Sequence, residues 1–253
     1  MKYTQQIGKL LKVQALSSTA YSFDIYVPAV AGAAKAGQFV MVTCGDYMLR
    51  RPISLAGFDA KAGTIRLVFE IRGAGTAWLA GLQKGAAIDV IGPLGNGFPC
   101  ASGKTVLVGG GIGTPPLLPI AEVLGGDAVA VLGFRNADAV ILQDDYTQTG
   151  AEVLVCTDDG SAGFHGNTAQ ALGSVIEGAE AVYTCGPKVM MQAVAAVAAE
   201  KGVPCFVSME ERMGCGFGAC VGCAVPVRDA EGNVQNKRVC AEGPVFRAEE
   251  VFF

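Results

Sequence analysis

The sequence predicts a multidomain chain: an N-terminal antiparallel β-barrel over residues 1–98, a parallel-sheet α/β domain over 99–207 and a small cysteine-rich subdomain over 208–253. Three observations predict it. Short β-branched runs separated by Gly, Pro and Asp recur through the first part. From Lys104 the texture changes to apolar strands alternating with helical stretches, the pattern of a parallel sheet. Beyond residue 208 the chain is too short and glycine-rich to own a core, so something other than packing must hold it.

The barrel strands are expected in QQIGKLLKVQAL, YSFDIYV, QFVMVTC, TIRLVFEI and AAIDVIGPLG, with the turn cluster PLGNGF at 93–98 as the exit. In the second domain, TVLVGGGIGTPPLLPIAEVL predicts a buried strand, a glycine-rich loop and a helix. Further strands are expected at 128–134, 152–157 and 181–186. The clearest helix is PKVMMQAVAAVAAEKG, which closes on Lys then Gly as a helix C-terminus should.

Bulk composition narrows the function classes. Hydrophobic residues make up 51% of the 253 residues and charged residues 17%, enough for buried cores and against disorder. The net charge is −4 with no basic run, which argues against a nucleic-acid surface. No apolar stretch reaches the roughly 20 residues of a spanning helix, and the start MKYTQQIGKL lacks the apolar core of an export signal. A soluble, cytoplasmic protein is expected. His165 is the single histidine, which excludes a His-rich metal site.

Four of the nine cysteines cluster: MGCGFGACVGCA at 213–224 carries Cys215, Cys220 and Cys223, and Cys240 follows, giving C-x4-C-x2-C-x16-C. A C-x4-C-x2-C run with a distant fourth Cys is the plant-type [2Fe–2S] pattern. Four thiolates must converge on two irons, and a tight loop brings three of them from nearby positions. Gly214, Gly216, Gly218 and Gly222 let the backbone curl so that its N–H groups can face the sulfurs. A structural zinc is the bland alternative, although only Cys220 and Cys223 form a Cys-x-x-Cys pair. Cys44, Cys100, Cys156, Cys185 and Cys205 are scattered and by default small core residues.

Other motifs suggest nucleotide cofactors. In RRPISLAG at 50–57, a guanidinium suits a pyrophosphate and a serine three residues on can meet the edge of a flavin ring. VFEIRGAGT at 68–76 ends in a glycine turn that permits close phosphate approach. Taken alone, R-x-x-S equally suits a solvated strand end. GGGIGTPP at 109–116 follows a strand and opens a helix, but has Thr114 where the dinucleotide fingerprint has Gly. A phosphate at a helix N-terminus and a plain strand–turn–helix both fit it. TCGP at 184–187 closes a strand, where Cys185 can face a nicotinamide or simply be buried.

Taken together, RRPIS, GGGIGTPP, TCGP and MEERMGCGFGACVGC resemble, over essentially the whole chain, the electron-transfer subunits of dihydroorotate dehydrogenase B, within the ferredoxin–NADP reductase-like superfamily. The superfamily favours an aromatic residue before the motif serine; here Ile53 stands there, so stacking on the flavin must come from elsewhere. The resemblance implies FAD on Arg51, Pro52, Ile53 and Ser54, on Val68, Phe69 and Glu70, and on Gly75 and Thr76. It implies NAD on Gly109, Gly110, Gly111, Ile112, Gly113 and Thr114, and on Cys185, Gly186 and Pro187. It also implies a [2Fe–2S] cluster on Cys215, Cys220, Cys223 and Cys240, and a separate FMN-bearing subunit that oxidises dihydroorotate to orotate for pyrimidine biosynthesis, in a heterotetramer of two of each subunit. Electrons would pass from that FMN through the cluster and FAD to NAD⁺, with no catalytic acid or base in this chain. Two rival functions remain at this point: an FAD/[2Fe–2S] NAD(P)H:acceptor reductase subunit of another redox complex, and a zinc-stabilised nucleotide-binding module. Arg135, after the second strand of the α/β domain, leaves a 2′-phosphate open, and Phe252 and Phe253 either cover the flavin or pack.

Overall fold

The computed structural model describes residues 3–100 and 102–253; residues 1, 2 and 101 lie outside the described residues. It divides into two compact units, one of Met1–Gly97, Glu210–Val225 and Lys237–Pro244, the other of Phe98–Met209, Pro226–Asn236 and Val245–Phe253. The C-terminal segment is thus shared between both.

The first unit is built on β1 (Thr4–Ala15), β2 (Ala20–Tyr26), α1 (Pro28–Ala31), β3 (Phe39–Val42), β4 (Arg51–Asp59), β5 (Thr64–Glu70), α2 (Ala74–Ala80) and β6 (Ala87–Leu94). The six strands close into an antiparallel barrel in the order β1-β2-β5-β4-β3-β6, as the alternating runs predict. Side chains from alternate positions, among them Leu10, Phe23, Ile25, Val40, Leu55, Leu67 and Val90, fill its core. Strand β4 begins at Arg51 and carries all of the RRPIS motif except Arg50, a stretch the sequence marks only as lying between β-rich segments. Two leading arginines and a proline hide its strand character.

The second unit has a mostly parallel sheet flanked by helices. Its elements are β7 (Thr105–Gly110), α3 (Leu118–Leu124), β8 (Ala128–Phe134), α4 (Gln143–Gln148), β9 (Glu152–Thr157), β10 (Phe164–His165), α5 (Thr168–Val175), β11 (Ala181–Cys185), α6 (Lys188–Glu200) and β12 (Cys205–Ser208). After these come β13 (Ala224–Arg228) and β14 (Val234–Arg238), which form a two-stranded sheet, and β15 (Val245–Arg247). The order β10-β9-β8-β7-β11-β12-β15 ends in an antiparallel edge, β12 with β15. Strands 128–134 and 152–157 fall where predicted, and α6 ends at Glu200, capped by Lys201 before Gly202 in the left-handed region (φ 68°).

Two local expectations are corrected. The glycine loop does not open the α-helix directly: Gly111–Gly113 and Pro115–Leu117 form successive 3₁₀ turns, and α3 starts only at Leu118. Consecutive prolines at 115 and 116 supply no N–H groups, so the regular ladder begins beyond them. Of the scattered cysteines, Cys44, Cys156, Cys185 and Cys205 are buried, but Cys100 is exposed. Among the described residues no helix is long and apolar enough to cross a membrane. Phe252 packs over the Arg228 guanidinium at 5.0 Å, beside the Val227–Val251 bridge.

Candidate functional site

In the barrel unit, β4 and β5 are paired only from Leu55–Leu67 to Asp59–Thr64. Beyond Leu55 the two strands part. Arg51–Ser54 remain paired to β3, and Val68–Glu70 remain paired to β2, but no ladder joins one set to the other. The backbone groups along these two facing edges must find partners elsewhere, since an unpaired buried N–H or C=O costs free energy. Residues of both implied flavin segments therefore line one slot. Ile53 and Phe69 turn their side chains into the barrel core, so only their backbone can serve a ligand, whereas Pro52 is exposed and Ser54 half-buried.

At the end of this slot the two arginines divide their roles. Arg50 is tied to β6, its Nη2 2.5 Å from Asp89 Oδ2 and its Nη1 donating to Asp89 O at 3.1 Å. Arg51 instead lies along the glycine turn. A Cβ on Gly75 would fall 2.8 Å from Arg51 Nε and 3.0 Å from Nη2. The Thr76 hydroxyl accepts from the Arg72 and Gly73 N–H groups at 2.9 and 3.3 Å, which shapes the turn into α2. Fixed guanidinium, bare glycine and turn together fit a pyrophosphate. Nearby, burial pushes the Glu210 carboxyl above its ordinary range, with the Arg72 charge opposing it.

The cysteine loop belongs to the same unit. Gly216 and Gly218 adopt φ of 82° and 91°, as the glycine spacing predicts, but the third left-handed residue is Val221 (φ 60°) rather than Gly222. A β-branched residue held there stores about 1–3 kcal/mol of backbone strain. That conformation lets N–H groups face sulfur: Ala219 and Cys220 donate to Cys215 Sγ at 3.3 and 3.4 Å, and Cys240 donates to Cys223 Sγ at 3.5 Å.

The four cysteines stand as two pairs. Cys223 Sγ is 3.2 Å from Cys240 Sγ, and the Cys220 thiol is in hydrogen-bond reach of Cys215. Among the described residues no three or more His, Cys, Asp or Glu side chains gather around one metal position. Two thiolates per iron suit a binuclear cluster, whereas a structural zinc takes four ligands around one centre. Burial pushes the Cys215 thiol up, but the N–H groups of Cys220, Phe217 and Ala219 and the Cys220 side chain outweigh it and draw it down to about 6. Burial, and then the Cys223 side chain, push Cys240 up to about 12.

In the sheet unit, the chain runs β7 to β8 to β9 on one side and resumes at β11 and β12 on the other. The switch point therefore lies between β7 and β11, where Cys185 is in register with Gly109. Open α/β sheets bind ligands at such a point, outside the carboxyl ends of the strands. Gly109–Thr114 and Cys185–Pro187 meet there. A Cβ on Gly113 would collide with the Cys185 carbonyl, and one on Gly186 would fall 2.7 Å from Met190 Cε. Cys185 itself is buried. Met190, whose thioether also lies against Gly110, was not singled out in the sequence, where nothing distinguishes it from the other apolar residues of α6.

Tyr146, fully buried on α4, holds the glycine loop by donating its hydroxyl to Thr114 O at 2.7 Å. Tyr146→Phe leaves that carbonyl without its donor and is expected to lower stability by about 1–3 kcal/mol. Urea unfolding with an unchanged slope would show it.

Residues 210–252 match the family model described as the iron-sulfur cluster binding domain of dihydroorotate dehydrogenase B. The chain is 38% identical over 254 residues to the dihydroorotate dehydrogenase B (NAD(+)) electron transfer subunit of Desulforamulus reducens, covering 96% of this chain and 97% of that one. It is 44% identical over 225 residues to the protein of the same name from Bacillus caldolyticus, covering 85% and 86%. A solved structure of an NADH-dependent reduced ferredoxin-NADP oxidoreductase, described for flavin-based electron bifurcation, superposes with a TM-score of 0.88 at 33% identity, covering 98% of this chain and 90% of that chain. The ferredoxin reductase of carbazole 1,9a-dioxygenase shares the fold, with a TM-score of 0.69 at 21% identity and coverage of 81% and 68%. On these relationships, the chain belongs to the family of dihydroorotate dehydrogenase B electron transfer subunits.

Proposed function

We propose that the chain is the NAD-linked electron-transfer subunit of a dihydroorotate dehydrogenase B complex, and that it relays electrons from an FMN-bearing catalytic subunit to NAD⁺. One observation carries the reading: the parted β4–β5 slot with its Arg51–Gly75 cradle and the paired cysteines belong to one compact unit. When bound, FAD exchanges single electrons with a [2Fe–2S] cluster and a hydride with nicotinamide, which neither of those groups can do for the other.

The chain's residues bind and orient. Arg51, Gly75 and Thr76 hold the FAD pyrophosphate, while the open backbone edges at Pro52–Ser54 and Val68–Glu70 take the polar edge of the ring. Cys215, Cys220, Cys223 and Cys240 hold the cluster, and loop N–H groups aimed at sulfur support its reduced form. NAD lies at the β7–β11 switch point on Gly109–Thr114 and Cys185–Pro187. Residues 1–98, 99–207 and 208–253 are assigned to FAD, NAD and cluster binding respectively. The working assembly is a cytoplasmic heterotetramer of two of each subunit.

A second reading, a reductase subunit of another redox complex, is favoured by the similarity to the NADH-dependent oxidoreductase chain. Mixing the loaded chain with an FMN-bearing dihydroorotate dehydrogenase subunit separates the two. Dihydroorotate-driven reduction of NAD⁺, absent from either subunit alone, is the expected result. Dye reduction by NADH without any dihydroorotate-linked turnover in the mixture would leave the second reading.

A further inference from the structure

Arg238 lies at the end of β14, two residues before Cys240, and its guanidinium is shared between two partners. Nη1 donates to the Gly218 carbonyl at 2.6 Å, inside the cysteine loop. Nε and Nη2 form a fork with the Glu242 carboxylate, Nε lying 3.1 and 3.0 Å from its two oxygens. Glu242 Oε2 also accepts from the Arg238 backbone N–H at 2.6 Å, so the pair closes a ring around the turn that carries Cys240. Asn96, at the barrel exit, fixes this turn from outside, donating from Nδ2 to Glu242 O at 2.9 Å.

Gly218 is the hinge of the arrangement. Its φ of 91° is a glycine conformation, and a Cβ there would sit 3.0 Å from Ala241 Cβ and 3.2 Å from Arg238 Nη1. Its carbonyl is held by Arg238, while the N–H on the other side of the same peptide bond, that of Ala219, donates to Cys215 Sγ at 3.3 Å. Holding one side of this peptide unit therefore aims the other at a ligand atom.

We propose that the Arg238–Glu242 clasp is a positioning device for the cluster, fixing the Ala219 N–H on Cys215 and setting the cluster's reduction potential through a charge pair whose positive member faces the cysteine loop. The role rests on the assignment of a [2Fe–2S] cluster to the four cysteines. Reduction adds a negative charge to an already anionic cluster, so nearby fixed charge shifts its potential according to sign. Two opposite charges held together largely cancel, and removing either exposes the other. A clasp that only stiffened the loop would make both single variants behave alike.

The test is a redox titration of the full chain, monitored by EPR, with iron and labile sulfide measured per chain. Arg238→Gln is expected to lower the cluster midpoint potential, Glu242→Gln to raise it, and the double variant to return near the wild-type value. Arg238→Lys keeps the charge but not the fork, so its potential should stay near wild type while chelators strip its iron several-fold faster. Equal potentials in loaded wild-type, R238Q and E242Q chains, or shifts of one sign in both, would overturn this role and leave the cluster assignment standing. Should R238Q assemble no cluster, E242Q and R238K still decide the matter. A wild-type chain that retains no iron or sulfide after anaerobic purification would overturn the cluster assignment, and the proposed role with it.

Discussion

Cys220→Ser is expected to stop electron flow between the partner subunit and NAD⁺ while leaving NADH oxidation by an artificial dye near the wild-type rate. Cys220 is the exposed member of the four, so its replacement removes little packing. What it removes is a thiolate. A serine hydroxyl does not ionise near neutral pH and is a poor ligand for iron, which leaves one iron of the pair short of a donor. Its partner Cys215 also loses the neighbour whose side chain helps to hold it in the ionised form. The fall in dihydroorotate-linked turnover should be on the order of a hundredfold or more, equivalent to about 2.7 kcal/mol in the effective barrier. FAD content should stay near wild type because the β4–β5 slot contains no cysteine of the loop. Anaerobic EPR of the reduced chain and parallel turnover assays check both halves. An intact signal with intact throughput would remove Cys220 from the ligand set.

What could be seen in the sequence was what lies close together along the chain. C-x4-C-x2-C is one loop, RPIS the start of one strand and TVLVGGG one strand with its turn, so local spacing already holds their geometry. Cys240 was visible because few residue types besides cysteine can complete such a set. Arg238 and Glu242 were not, since a charged pair four residues apart in an irregular segment is common and its worth depends on which carbonyl it meets. The same holds for the association of residues 210–225 and 237–244 with the barrel. It runs through contacts such as Met41 against Gly216 and Asn96 against Glu242, which leave no periodic trace. Strands β12 and β15 are four and three residues long, below the length at which alternation stands out. Val221 illustrates a subtler limit. Four glycines marked the loop as curled, yet one left-handed position falls on a β-branched residue, because the demands of the cysteines on either side outrank local preference.

Arg51→Ala is expected to release FAD. Its neighbour makes the experiment discriminating, because the two arginines are adjacent in sequence but differ in what they hold. Arg50 is bound to Asp89 on β6 and serves the barrel wall. Arg51 donates to Leu49 O at 2.5 Å and spreads its remaining donors beside Gly75, where no carboxylate among the described residues pairs with them. Charge-assisted hydrogen bonds of this kind contribute roughly 1.5–3 kcal/mol. Their loss should weaken FAD binding about 10- to 150-fold, enough for the flavin to elute from the protein during gel filtration. Arg51→Lys should fall between, since an ammonium keeps the charge but not the planar fork. Gly75→Val should reproduce much of the Arg51→Ala defect with the guanidinium still present, because its side chain would occupy the place where Nε and Nη2 now rest. Arg50→Ala, by contrast, should lower unfolding stability by about 1 kcal/mol and leave flavin affinity within a few-fold of wild type. Flavin fluorescence titration of the apo-chains reads all four variants on one scale. If Arg51→Ala bound FAD as tightly as wild type while Arg50→Ala did not, the pyrophosphate would have to lie against β6 rather than in the glycine cradle, and the parted strands would need a different occupant.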